Sequence, residues 1–261
     1  MNIPVITPEM ASAFIMVLVR VSAMIMMVPA LGETSIPATV KWGLAMLITF
    51  LLFPIVKVSM PPLTDLGLVS MIFGIAGEML IGILIGFAAR FVFAGIQLAG
   101  ELMGFQMGFS VASVIDPTSG TQVSVISELQ YLVSLLLFMT VNAHHLFISA
   151  IADSYQAVPP LSVYFSGALL QALVHLSRDV FVIAIKISAP VAAVLLFTNV
   201  AMGLVARTVP QMNVFMVSFP LQIAVGLLFI GLSAPIFIKV TEHLFLGLGE
   251  ETRMLMRLMR I

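Results

Sequence analysis

The sequence contains no cysteine and very little charge, and both absences narrow the class of protein. Without cysteine, the chain forms no disulfide and offers no thiolate to a metal. Charged residues make up 9% of the 261 residues and hydrophobic residues 61%, and the mean hydropathy is +1.19. A water-soluble domain of this length needs far more charged surface. The composition therefore predicts a polytopic membrane protein.

Several functional signatures are also missing. There is no G-x-S-x-G elbow, Walker phosphate loop or Rossmann fingerprint, and no acid–base pair stands out on a common loop. The net charge of −1 argues against nucleic acid as a partner. His144 and His145 are adjacent, so in a helix their side chains point about 100° apart and do not converge on one ion. The sequence therefore gives no sign of an enzyme and predicts no metal site.

Long apolar runs divide the chain into about six hydrophobic elements. A membrane-spanning helix needs about 20 mostly apolar residues. The candidate runs are 10–28, 43–56, 67–90, 91–115, 123–151, 175–202 and 213–239. Only Arg90 separates the third run from the fourth, so the two form either one long, bent helix or a hairpin. Pro190 and Pro220 fall inside runs and predict kinks. We expect an all-α polytopic membrane protein with long, kinked helices in hairpins.

Residues 241–261 differ from the rest of the chain. Two glutamates are followed by Arg253, Arg257 and Arg260, with leucine and methionine between them. This pattern predicts a short amphipathic helix on a membrane surface or on a partner. Because basic residues collect on the cytoplasmic side of membrane proteins, we expect a cytoplasmic carboxyl terminus.

Polar side chains recur at three- and four-residue steps in the run 123–151. In one continuous helix this spacing places them on one face, with Phe138 as the interruption. Polar groups at membrane depth are costly, which excludes a lipid-facing position. The face lines a pore or gate, or forms a polar seam against a neighbouring helix. Its main members are Glu128, Tyr131, Asn142 and His145.

Single charges lie deep in other apolar runs, such as Glu78 and Lys186. A charge in this position needs a partner or water. Since no dense chain of carboxylates suggests a proton relay, structural pairing is favoured over transport chemistry.

The stretch GELMGFQMGFSVASVIDPTSG, residues 100–120, combines small and flexible residues. Gly100, Gly104 and Gly108 stand four residues apart, which lets another backbone approach closely. Methionines and phenylalanines recur one turn apart beside them. Asp116-Pro117 then disfavours helical geometry. We predict a helix, a sharp non-helical loop and a second helix with a polar face.

This stretch, together with two later segments, resembles the FliR family of flagellar type III export-gate components. The later segments are LLLFMTVNAHHLFISAIADSYQAVP (135–159) and NVAMGLVARTVPQMNVFMVSFPLQIAVGLL (199–228). Residues 20–46 fit as well, so the similarity covers essentially the whole chain. Its most specific part is the run 207–215, with Arg207, Pro210, Gln211 and Asn213.

The resemblance implies a protein that is not an enzyme and binds no cofactor. It implies a FliP-like part over residues 1–170, a FliQ-like helical hairpin over 171–240 and the tail 241–261. Several copies of FliP, together with FliQ, would join this chain in an assembly at the entrance of the export channel. FlhB and FlhA are the further partners, and unfolded export substrates pass through. The implied location is the bacterial inner membrane, in the flagellar basal body.

The resemblance also implies a plug within residues 106–122 that closes the channel, with Met103 and Phe105 at its base. The implied plug and gate residues are Met103, Phe105, Gln106, Met107, Phe109, Val111, Val114, Ile115, Asp116 and Pro117.

Three alternatives stay open. Injectisome export-gate homologues, which serve virulence secretion, are similar to this family. A secondary transporter of small solutes would use Glu78, Lys186 or the polar face of 123–151 as its binding site. A pure assembly scaffold would have no pore role.

Overall fold

A computed structural model of the chain describes residues 8–56, 67–109, 124–164, 166–209, 211 and 213–259. Every regular element within these residues is an α-helix. The helices are α1 (Pro8–Met27), α2 (Ala38–Val56), α3 (Leu68–Gln106), α4 (Val125–Thr140), α5 (Ala143–Ala157), α6 (Gly167–Thr208) and α7 (Val214–Leu258). The all-α fold predicted from the sequence is confirmed.

Five of these helices, α1, α2, α3, α6 and α7, are long and apolar enough to cross a membrane. The number rises to six if α4 and α5 together count as one broken span. This agrees with the polytopic membrane protein predicted from composition. The runs 67–90 and 91–115 belong to a single helix of 39 residues, α3. Arg90 therefore lies inside a helix and marks no turn.

The carboxyl-terminal segment is the end of α7, which is a correction to the separate short helix that the sequence predicts. Within residues 246–259, its buried apolar residues are Leu248, Leu255, Met256 and Met259. Arg253 and Arg257 are exposed on the opposite side. The Ser166 hydroxyl donates a hydrogen bond to the Leu258 carbonyl oxygen at 3.0 Å. The apolar side of this segment therefore packs within its own chain.

The chain forms two compact units. Unit 1 comprises Met1–Arg90, Asn142–Leu176 and Leu246–Ile261, and unit 2 comprises Phe91–Val141 and Ser177–Phe245. In unit 1, α1 packs against α2, and both contact α5. In unit 2, the side chains of Phe93, Tyr131, Phe138 and Phe245 form an aromatic cluster with ring centroids 5.3–5.6 Å apart. The division at residues 170 and 240 that the family resemblance implies stays a prediction.

Glycines of α3 allow neighbouring backbone to approach closely. In unit 1, a Cβ at Gly82 would lie 2.3 Å from the carbonyl oxygen of Arg20 in α1. In unit 2, a Cβ at Gly100 would lie 2.4 Å from the Cα of Ser127 in α4. The close approach predicted from the four-residue glycine spacing is confirmed at Gly100 as a contact between helices of the same chain.

Candidate functional site

The predicted plug is preceded by a capped helix end. Gly108 has a φ of 86°. Its N–H donates to the Phe105 carbonyl oxygen at 3.0 Å, and the N–H of Phe109 donates to the Gly104 carbonyl oxygen at 3.1 Å. These two hydrogen bonds form a Schellman motif, which ends a helix at a left-handed residue. Glycine adopts that conformation without a steric penalty.

The helix therefore ends earlier than the sequence predicts. The apolar run 91–115 indicates a helix up to Asp116-Pro117, but α3 ends at Gln106. The reason is Gly108, whose spacing indicates packing but whose backbone conformation closes the helix. Half of the predicted plug residues lie outside the described residues: Val111, Val114, Ile115, Asp116 and Pro117.

The methionines at the end of α3 are anchored on their own chain. Met103 and Met107 are buried. Met107 packs against Gly226 of α7. A Cβ added at Gly226 would stand 2.7 Å from both Cγ and Cε of Met107. In the same way, an added Cβ at Gly108 would stand 2.7 Å from Cδ1 of Phe219. The other described plug residues are exposed or half-buried: Phe105, Gln106 and Phe109.

A polar contact joins α6 and α7 beside this anchor. The Gln222 side-chain amide donates to Oδ1 of Asn199 and to the Ser218 hydroxyl. The Gln222 Oε1 would lie 3.9 Å from a Cβ added at Gly108. The surface of α6 and α7 against which the end of α3 packs is therefore stabilised by hydrogen bonds as well as by side-chain packing. We call the part of this surface around Gly226 the seat of Met107.

The polar face predicted for residues 123–151 is divided between two helices. Asn142 has a φ of 58°, which is left-handed, and it separates α4 from α5. The prediction of one continuous helix is therefore wrong, because a left-handed residue interrupts the helical hydrogen bonds. Asparagine is among the few residues other than glycine that adopt this conformation readily. Glu128 and Tyr131 belong to α4, whereas His145 belongs to α5.

Two polar residues of α4 make contacts inside unit 2. The Ser127 hydroxyl donates to the Gln97 carbonyl oxygen at 2.9 Å, and Tyr131 packs edge-on against Phe93 with ring centroids 5.5 Å apart. Ser127 therefore makes a polar contact between neighbouring helices, as the polar-seam alternative predicts, whereas Tyr131 packs in the aromatic cluster. The exposed members of the face are Glu128, Asn142 and His145. A channel or a neighbouring subunit facing them stays a prediction.

The most elaborate polar arrangement, in unit 1, is centred on Arg20 of α1. Its Nε donates to Oε2 of Glu78 at 2.6 Å, and its Nη2 donates to Oε1 of the same carboxylate at 3.0 Å. Both side chains are fully buried. Nη1 donates to the Ser154 hydroxyl at 2.9 Å, and Nη2 also donates to the Val158 carbonyl oxygen at 3.2 Å. The guanidinium lies 3.9 Å from the centroid of the Tyr155 ring.

This centre is structural, since its hydrogen-bonding capacity is used within unit 1. Both carboxylate oxygens of Glu78 accept from Arg20, and the side chain is fully buried, so a solute has no access to it. The pairing favoured for Glu78 from the sequence is confirmed. Its partner, Arg20, was not predicted from the sequence. The available signal was that each charge stands in an otherwise apolar run, so that each needs an opposite charge.

The family-motif residues lie at the junction of α6 and α7. Arg207, in the last turn of α6, is exposed, as are Gln211 and Asn213. The Asn213 carbonyl oxygen accepts from the N–H of Met216 at 3.1 Å, in the first turn of α7. Pro210 lies outside the described residues. In the described part of the chain, no three histidine or carboxylate side chains are grouped so as to hold a metal ion.

Comparison with known proteins identifies the family of this membrane-embedded chain. Residues 11–248 match the family described as bacterial export proteins, family 1. The chain belongs to this family. The match includes the capped end of α3, its seat on α7 and the Arg20–Glu78 centre.

Relatives within the export family are similar over nearly the whole chain. A protein of Bacillus subtilis (strain 168) is 34% identical over 256 residues, which is 97% of this chain and 98% of the relative. A protein of Escherichia coli (strain K12) is 35% identical over 230 residues, covering 87% of this chain and 86% of the relative. One from Pectobacterium carotovorum is 33% identical over 240 residues, covering 90% and 88%. Each of the three is named flagellar biosynthetic protein FliR.

Proposed function

We propose that this chain is a component of the flagellar protein export gate and that it acts together with FliP and FliQ. The observation that carries the proposal is the similarity to a flagellar biosynthetic relative over 97% of this chain. Unfolded flagellar subunits are the cargo, and FlhB and FlhA are further partners. The gate lies in the inner membrane of the basal body, with the carboxyl terminus of this chain in the cytoplasm. The chain is not an enzyme and binds no cofactor.

Within this gate, the chain supplies one wall of a passive pore and the plug that closes it. The end of α3 supports this role. The Schellman motif at Gly108 ends the helix at a defined point, and Met107 fixes that point on α7. The helix end that precedes the predicted plug is therefore fixed in position. Flexible apolar side chains such as methionine adapt to a seal and part again without breaking strong bonds.

Deleting residues 108–120 is expected to leave the assembled gate intact and to make the membrane leak ions. The reason is that the deletion removes the plug, together with the Gly108 cap of α3, and spares the helices that pack against one another. Ion-sensitive dyes in cells, or in vesicles containing the purified complex, measure the leak. A replacement of the same residues by glycine and serine at equal length should leak as well, because it keeps the tether and removes the apolar seal. Loss of assembly without a leak would show that the segment is structural packing.

The substitution Gly226→Val is expected to make the assembled gate leak ions, but less than the deletion of residues 108–120 does. An added Cβ at Gly226 would lie 2.7 Å from Met107, so the flexible methionine must leave its seat. Gly231→Val in the same helix is the matched control, because nothing lies within 4 Å of a Cβ at that position. The same dye measurement serves both variants. A gate that stays tight with Gly226→Val would show that the seat of Met107 does not hold the plug.

The solute-transporter alternative is weakened at Glu78, because this side chain is fully buried and paired with Arg20. Lys186 and the exposed part of the polar face remain available to it. Solute uptake by the purified chain alone in liposomes would favour a transporter, whereas stable capture of FliP- and FliQ-like subunits favours the gate.

A further inference from the structure

Lys186 is an isolated charge in the middle of α6. Residues 180–206 contain no other Asp, Glu, Lys or Arg. The side chain is exposed. The ion pair seen among the described residues joins Arg20 to Glu78, and no described carboxylate is paired with Lys186. Asp179, on the same face of the helix, is two turns away, about 10 Å along the axis. The described residues therefore supply no counter-charge to Lys186.

The surface around Lys186 is apolar. The neighbouring side chains of Phe181 and Ile185 are each 62% exposed. Every other position within four residues of Lys186 that reaches the surface is also apolar: Val182, Ala189 and Pro190. A helix face that lines a water-filled channel carries further polar side chains, and α6 exposes none within four residues of Lys186. Water alone therefore does not explain the position of the lysine.

The residues that follow Lys186 on its own face are small. Ala189 and Ala193 lie three and seven residues further along α6, and both are exposed. Small residues at such spacing let the backbone of another helix approach closely. A lysine that extends towards lipid headgroups has no need of this close approach. The surface thus combines an unneutralised positive charge with space for a helix.

We propose that Lys186 pairs with an aspartate or glutamate on an apolar helix of a neighbouring subunit. The inference rests on the proposed function, since the export gate supplies the neighbouring subunits. The partner helix is apolar where it covers Phe181 and Ile185, and it carries one carboxylate opposite Lys186. The pair neutralises two charges that are each costly in an apolar surrounding. It fixes the register of the partner helix along α6.

The experiment is capture of the other membrane subunits of the export gate by the tagged, full-length chain after co-expression. With Lys186→Glu, we expect capture to fall by at least about tenfold, because two carboxylates then face each other in the interface. Lys186→Met should lower capture less, and Lys186→Arg should keep it. Lys239→Glu, a charge reversal at another exposed lysine, is the matched control and should capture normally.

The decisive result is rescue. A single Asp→Lys or Glu→Lys change in an apolar helix of one captured subunit should restore binding to the Lys186→Glu chain and to no other variant. Elution of the isolated Lys186→Glu chain at the wild-type position on size exclusion confirms that its own fold is intact. Normal capture by Lys186→Glu would overturn the inference and leave Lys186 to lipid headgroups or channel water. If the wild-type chain captures no membrane subunit, the proposed function fails as well.

Discussion

Replacing Arg20 with methionine is expected to lower the melting temperature of the detergent-solubilised chain by about 10 °C. The change leaves the Glu78 carboxylate buried without its counter-charge. Breaking a buried ion pair by removing one partner costs about 3–5 kcal/mol, since the remaining charge stays desolvated and uncompensated. Melting followed by size exclusion after heating measures the loss.

The loss of stability is large because one guanidinium, that of Arg20, makes hydrogen bonds to several elements of unit 1. Arg20 of α1 donates to Glu78 of α3, and it also donates to Ser154 of α5 and to the Val158 carbonyl oxygen. Removing it leaves the Val158 carbonyl oxygen and the Ser154 hydroxyl without this donor, in addition to the orphaned carboxylate. Methionine fills a similar volume, so lost charge, and not a cavity, dominates the result.

Two controls separate this explanation from general damage to the core. The double variant Arg20→Met with Glu78→Met removes both charges, and it should recover much of the stability that the single variant loses. Arg90→Met removes an exposed arginine of α3 and should change the melting temperature little. A single variant as stable as wild type, or a double variant no better than the single one, would contradict the account.

Hydropathy predicted the all-helical, membrane-spanning character of the chain because a membrane-spanning helix must satisfy its backbone internally over about 20 apolar residues. It did not predict where two of them end. Gly108 and Asn142 close helices through left-handed backbone conformations, with φ of 86° and 58°. From spacing alone, a glycine indicates only a small residue and an asparagine only a polar one. Gly108 and Asn142 were therefore both assigned to helix faces.

The candidate site was predictable to a smaller extent. The glycine spacing of residues 100–108 indicated close packing, which is present, but it did not show that Met107 is seated on Gly226, far along the chain in α7. The Arg20–Glu78 pair likewise joins residues 58 positions apart. In the sequence, Arg20 and Glu78 each indicate only that a charged side chain in an apolar run needs a partner of opposite charge. Which partner it has is decided by the tertiary arrangement of α1, α3 and α5, which no local pattern encodes.

The substitution Gly100→Ala is expected to destabilise the chain strongly, whereas the same change at Gly203 should stabilise it slightly. A Cβ at Gly100 would lie 2.4 Å from the Cα of Ser127 and 2.8 Å from its backbone nitrogen. These obstacles are backbone atoms, so no rotamer change relieves the clash, and α3 and α4 must move apart. Separation also weakens the hydrogen bond from Ser127 to the Gln97 carbonyl oxygen. Overpacking of this kind costs about 1–3 kcal/mol or more.

Gly203 in α6 is the matched control because nothing lies within 4 Å of a Cβ at that position. Alanine there should gain about 0.5–1 kcal/mol from helix propensity alone. Melting of the isolated chain in detergent compares the two variants, so that contacts with other subunits play no part. Opposite signs would establish that Gly100 serves a contact within this chain. If Gly100→Ala is as stable as Gly203→Ala, α3 and α4 do not approach as closely as 2.4 Å implies, and the glycine spacing must serve a contact with another subunit.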